Sequence, residues 1–264
     1  MLSYFQLTLF PVSKERLQKI LIHSRSSNMV TLDALQDEIY RRHPRPYQCD
    51  RPINLYQSPL CQGLVTQADS GHHLHALEVS RDNSAIRVRI CKDDYPGWIA
   101  AKCVAELIPA AEPYQAPVLT FTEIHRRLPE VMAFAKAAMA VPNQYLWGGA
   151  IAPNYDCSGL VQAAFLSAGI PLPRDSYQQE DFTEKVAQSD LQPGDLVFFG
   201  TAERTTHVAI YLGEGRYIHS SGKDKGRNGI GIDSMTDLSD PVSAGYAKLL
   251  RCFGRVVKSY QPTG

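Results

Sequence analysis

The stretch Asn154-Tyr155-Asp156-Cys157-Ser158-Gly159-Leu160-Val161 decides how this chain is read. Apolar residues follow the cysteine at Leu160, Val161, Ala164, Phe165 and Ala168. Steps of three and four mark one face of a helix. Asp156 stands where an N-cap would, so Cys157 falls in the first turn. A thiol there feels the positive end of the helix dipole, and the spacing predicts a lowered pKa and a prepared nucleophile. A small buried core cysteine is the competing reading of the same octapeptide.

Downstream, strand patterns dominate. Leu196 to Phe199 follows the turn Pro193-Gly194-Asp195. Val208 to Leu212 ends at Gly213, and Tyr217-Ile218-His219 follows as its hairpin partner. Ile230, Ile232 and Phe253 to Val257 add further strands. His207 begins one hairpin strand and His219 ends the next, so both fall at one edge of a sheet. A helix packed on that face would bring Cys157 to the imidazoles. Helix first and meander after is an α+β layout.

Upstream of the cysteine, Ile124, Leu128, Val131, Ala135, Ala138 and Met139 predict a helix that Pro129 starts or kinks. Ala110 to Thr122, with Pro113 and Pro117, reads as a linker. Tyr47 to Pro109 alternates in short runs with turns at Ser58-Pro59, Asp69-Ser70-Gly71 and Asp82-Asn83, which predicts a small all-β barrel. His72, His73 and His75 alternate as in a strand, either exposed or at a metal. Before the barrel, Leu17, Ile20, Leu21 and then Leu32, Leu35, Ile39 suggest two short helices in an N-terminal extension. The expected divisions are 1–45, 46–110, 111–122 and 123–258.

Composition narrows the partners. The chain has 264 residues, with 27 basic and 27 acidic side chains and no formal net charge. That gives no electrostatic ground for nucleic acid or an anionic membrane as partner. No apolar run approaches a membrane span. Met1 to Pro11 lacks a basic n-region and a cleavage site, so the expectation is a cytoplasmic protein. The six cysteines form no C-x-x-C pair, and reduced thiols are expected. Oligomeric state is left open.

Six blocks, in order, resemble the NlpC family of papain-like cell-wall peptidases over about residues 120 to 258. They are Tyr145-Leu146-Trp147-Gly148-Gly149, Asp156-Cys157-Ser158-Gly159-Leu160, Leu172-Pro173-Arg174-Asp175-Ser176, Leu191 to Phe199, His207 to Leu212, and His219-Ser220-Ser221-Gly222. Ile53 to Pro59 and Tyr95-Pro96-Gly97-Trp98-Ile99 resemble bacterial SH3-like domains. Together they resemble the soluble subgroup that cleaves the γ-D-glutamyl–diamino acid bond of murein stem peptides.

The resemblance implies roles. Cys157 would be the nucleophile, His207 the general base and acid, and His219 the orienting residue. Tyr145 and the backbone N–H of Cys157 would stabilise the oxyanion. Asp156 and Ser158 would meet the ammonium of a free N-terminal L-Ala, unless Asp156 is a helix cap alone. Tyr95, and with it Asp94, would wall that end of the site from the barrel. Arg174 would pair with a substrate carboxylate, or with Asp175 or Asp181. The glycine-rich Gly222 to Gly229 reads as a rim loop on the leaving-group side. No metal or cofactor is implied. The expected work is recycling of cell-wall peptides such as L-Ala-γ-D-Glu-meso-diaminopimelate. An amidase or acyltransferase, or a non-catalytic murein-binding protein, would share the same features.

Overall fold

The computed structural model describes residues 30–41 and 45–263. The helix expected around Leu17 to Leu21 lies outside them. Helix α1 (Leu32–Tyr40) is capped by Thr31, whose side chain accepts from the Ala34 amide at 3.2 Å. It buries Leu35 completely in the core of the barrel that follows.

The barrel runs β1 (Pro46–Cys49), β2 (Ile53–Tyr56), β3 (Leu64–Ala68), β4 (His73–Val79), β5 (Ala85–Ile90) and β6 (Pro96–Ala100). A 3-10 turn (Ala101–Glu106) leads to β7 (Leu107–Pro109). The strands form one antiparallel sheet in the order β3-β2-β6-β5-β4-β1-β7. Period-two alternation puts Ile53, Leu55, Leu74, Ala76, Ile86, Val88 and Ile90 inside. His73 and His75 take the opposite phase to buried Leu74 in β4, and His73 packs by Tyr114. Among the described residues no group of three or more His, Cys, Asp or Glu could hold a metal.

Helix α2 (Phe121–Ala140) begins with a capping box between Thr120 and Glu123. Pro129 lies well inside it and does not start it, because the capping box satisfies the first turn eight residues earlier. Helix α3 (Cys157–Ser167) follows the small ribbon of β8 (Ala150–Ile151) and β9 (Asn154–Tyr155). The one-faced stripe expected for α3 is too modest. Every residue from Cys157 to Gln162 is buried, since α2, the sheet and the barrel together surround the helix.

After α4 (Ser176–Phe182), the sheet is built from β10 (Glu184–Val186), β11 (Leu196–Gly200), β12 (Thr205–Gly213), β13 (Arg216–Ser221), β14 (Gly229–Ser234) and β15 (Leu250–Arg255). Helix α5 (Pro241–Ala247) precedes β15. The order is β10-β15-β11-β12-β13-β14, with every pairing antiparallel. The fold is α+β, as the meander predicts.

Two buried polar networks join barrel to sheet domain. Lys92 Nζ donates to Asp93 at 3.0 Å and to Gln162 Oε1 at 2.8 Å, and Gln162 Nε2 donates to Asp93 at 2.8 Å. Arg174, 1 % exposed, donates from Nε to Thr66 Oγ1 of β3 at 2.9 Å. Burying such groups is tolerable only because each is hydrogen-bonded. Among the described residues no helix is long and apolar enough to cross a membrane, and all six cysteines are unpaired.

Candidate active site

Asp156 caps α3: its Oδ1 accepts from the Gly159 amide at 2.7 Å. Its Oδ2 accepts from the Gly148 amide at 2.9 Å. Gly148 has φ of 76° and sits against Leu64 of the barrel, where a Cβ would meet the Leu64 carbonyl oxygen at 2.6 Å. Only glycine fits that combination. Gly159 is equally forced, because a Cβ there would overlap the Gly149 carbonyl oxygen. The two glycines let the Trp-Gly-Gly turn close over the start of the helix.

Cys157 is buried at that start. The backbone amides of Val208 and Ser158 favour its thiolate. Cys157 shares a core cluster with Val208, the neighbour of His207 in β12. The lowered pKa expected from the helix dipole is not what the site provides. Burial, then the Asp156 carboxylate, pushes the thiol up to about 12, and the two amides only partly offset this.

His207 at the start of β12 and His219 near the end of β13 lie diagonally across the hairpin. His207 Nε2 is 2.7 Å from His219 Nδ1. Burial, then His219 and Lys225, holds His207 well below 6.5. His219 Nε2 is 2.6 Å from Asp233 Oδ2 on β14. Burial lowers the His219 pKa although Asp233 opposes this. Burial would raise Asp233, but bonds to His219 and Arg227 outweigh it and hold the carboxyl below the usual range. A carboxylate can only accept, so His219 carries its proton on Nε2 and accepts from His207 on Nδ1. His207 Nε2 is then the donor, and His207 Nδ1 keeps a free lone pair. The rings are boxed by Tyr246 of α5, whose centroid is 4.5 Å from that of His207 and 4.8 Å from that of His219.

A cleft of about 530 Å³ opens over the thiol between the two domains. Tyr145 lines it, its hydroxyl pKa raised by burial and then by Cys157. Trp147 lines it too, 72 % exposed. From the barrel come Gln57, Val65 and Tyr95. Tyr95 donates to Asp175 at 3.3 Å, and Tyr177 also bonds Asp175.

Two sequence expectations change here, those for Arg174 and Asp94. Arg174 does not face a substrate carboxylate, nor is it held by Asp175 or Asp181. Its Nη2 donates to Asp156 Oδ2 at 2.7 Å and its Nη1 to Oδ1 at 3.1 Å and to Ser158 Oγ at 2.9 Å. Asp156 is consequently filled by two amides, a guanidinium and the Ser158 hydroxyl, and is only 7 % exposed. Its charge and that of Arg174 compensate each other, and both Asp156 and Ser158 still line the cleft. Asp94 turns away from the cleft: its Oδ2 accepts from the Thr263 amide at 2.6 Å and it lies 3.8 Å from Arg89. Asp175, Tyr177, Tyr246 and Asp233 were not singled out from the sequence. For Asp233 a signal exists: it shares strand phase with Gly231, which pairs with His219.

Residues 142–245 match the model of the NlpC/P60 family, and residues 55–103 match that of the bacterial dipeptidyl-peptidase SH3 domain. The probable endopeptidase p60 of Listeria innocua is 37% identical over 46% of this chain and 24% of its own length. The bifunctional muramidase/DL-endopeptidase CwlT of Bacillus subtilis is 40% identical over 42% of this chain and 32% of its own. The chain thus spans about a quarter to a third of these curated relatives. A crystal structure of an NlpC/P60 family protein from Bacillus cereus covers 84% of this chain and 66% of its own, at 22% identity and a TM-score of 0.44. The chain carries an NlpC/P60 domain joined to a bacterial SH3 domain.

Proposed function

We propose that this protein is a cysteine endopeptidase that hydrolyses the γ-D-glutamyl–diamino acid bond of murein stem peptides whose L-Ala amine is free. The observation that carries the reading is Cys157 lining a cleft walled by the barrel, in a domain whose sheet buries the hydrogen-bonded His207–His219 pair. In the resting site the thiol is protonated and His207 neutral. His207 Nδ1 takes the thiol proton as sulfur attacks the γ-carbonyl carbon, then returns it to the leaving amine. The resulting thioester is hydrolysed by water through the same base. Tyr145 and the Cys157 amide suit the oxyanion.

The amine requirement rests on Asp175, which lines the same cleft as Asp156 and Ser158. Among the described residues no guanidinium bonds Asp175, which is held at the cleft by Tyr95 and Tyr177. An ammonium there makes a charge-assisted bond. The barrel closes that end, which favours short released peptides over intact murein and a recycling role in the cytoplasm.

The test is incubation with L-Ala-γ-D-Glu-diaminopimelate. Release of L-Ala-D-Glu, lost in Cys157→Ala, is expected, and intact tripeptide would overturn the reading. Mass spectrometry of products with added amine separates hydrolysis from acyl transfer. The raised thiol pKa is the one feature that suits a non-catalytic murein-binding protein instead. A trapped acyl-enzyme on Cys157 decides against it.

A further inference from the structure

The His207–His219 pair does not end at His219. Asp233 is buried, receives the His219 ring at 2.6 Å, and is itself clamped by Arg227 through Nε at 3.1 Å and through Nη2. Ser243 of α5 donates to the same carboxylate at 3.3 Å. Arg227 reaches it by lying across Gly231: a Cβ at 231 would meet Arg227 Cδ at 2.5 Å and Nη1 at 2.7 Å. Gly231 pairs with His219 across β13 and β14, so the missing side chain clears the path for the guanidinium beside the imidazole. Gly231 is not in the left-handed region. A side chain there would block this crossing.

We propose that Asp233, fixed by Arg227 across Gly231, is a positioning residue that sets the tautomers of His219 and His207. The inference rests on the reading of Cys157 as nucleophile and His207 as its base. The carboxylate admits one proton arrangement: N–H on His219 Nε2, N–H on His207 Nε2, and a lone pair on His207 Nδ1. An amide in its place can donate. His219 then takes its proton on Nδ1 and donates to His207 Nε2, which moves the His207 proton to Nδ1 and removes the base. Such a tautomer reversal lowers turnover by as much as ~10⁴-fold in a triad.

Other groups face the pair. Tyr246 from α5 contacts both rings, Tyr217 contacts His219, Lys225 on the rim acts on His207, and Cys157 lies at the head of α3. None of these but Asp233 is an obligate acceptor for His219.

Alkylation of Cys157 by iodoacetamide tests this without any peptide. In the wild type a base-assisted plateau near neutral pH should precede a free-thiolate limb rising at alkaline pH. Asp233→Asn should lower the plateau about 100-fold or more and leave the alkaline limb in place. With the tripeptide, kcat should fall with the plateau and KM stay within about twofold. A merely structural role would shift both limbs or neither. Folded Asp233→Asn with a plateau within about twofold of wild type overturns the proposal. Should that variant fail to fold, Gly231→Ala and Arg227→Gln decide. Each leaves Asp233 in place and should lower the plateau about tenfold, and unchanged plateaus in both overturn it. A wild type without a plateau overturns base and positioning residue together. A wild type with one but no peptide cleavage overturns only the proposed reaction.

Discussion

Replacing Arg174 by methionine separates a structural guanidinium from a substrate-reading one. Arg174 is 1 % exposed and makes four hydrogen bonds, to Thr66, Ser158 and both oxygens of Asp156. Methionine fills most of the volume but leaves the Asp156 carboxylate buried with only two amides and a hydroxyl around it. Breaking a buried pair from one side costs about 3–5 kcal/mol. The bond to Thr66 also ties the barrel to the sheet domain, so its loss adds to the same figure. Urea unfolding followed by circular dichroism should show that loss. The double variant Asp156→Asn, Arg174→Met removes the stranded charge and keeps an acceptor for the Gly159 amide. It should recover at least ~2 kcal/mol relative to the sum of the single changes. A stability loss under ~1 kcal/mol in Arg174→Met, with a raised KM for the tripeptide, would refute the reasoning and return Arg174 to the substrate.

Three further outcomes are expected. Gly159→Ala should destabilise by about 3 kcal/mol, the upper end for overpacking, because the new Cβ overlaps a backbone carbonyl rather than a mobile side chain; an unchanged urea midpoint counts against the close packing of turn on helix. Asp175→Asn should raise KM for the free-amine tripeptide about 10- to 100-fold, the worth of one charge-assisted bond, and abolish discrimination against its N-acetyl form; equal discrimination in variant and wild type would remove Asp175 from the amine site. Stability should fall with acidification through 6.5. His72, His207 and His219 all have folded pKa values below that of the unfolded chain, His72 at about 4. The unfolded chain therefore takes protons first. The stabilisation is complete above 6.5 and lost as pH falls toward each folded value, at up to about 1.4 kcal/mol per pH unit per histidine. A urea midpoint equal at pH 7.5 and 5.5 would exclude this.

What the sequence made legible was periodic or local. Alternation in Ile86, Val88 and Ile90 placed the barrel core, and an acid before a cysteine before an apolar run placed the head of α3. The hairpin from His207 to His219 needs only a turn and two strands, so the pairing of the imidazoles could be expected without coordinates. The misread residues are those whose partners come from far along the chain. Arg174 meets Thr66 108 residues away, and Asp94 meets Thr263 169 residues away. A charge that looks free in sequence is exposed only if no such partner arrives, and spacing cannot report that. The thiol pKa failed for the same reason. The dipole and the cap are local and favour thiolate, but burial under the barrel and the Trp-Gly-Gly turn is a tertiary effect of larger size. A neutral thiol makes the tautomer of His207 decisive, since an imidazole that must remove a proton has to present the bare nitrogen. That shifts weight from the cysteine, which any reader of the sequence would choose first, to Asp233, which lies 76 residues beyond it and acts on it only through two rings.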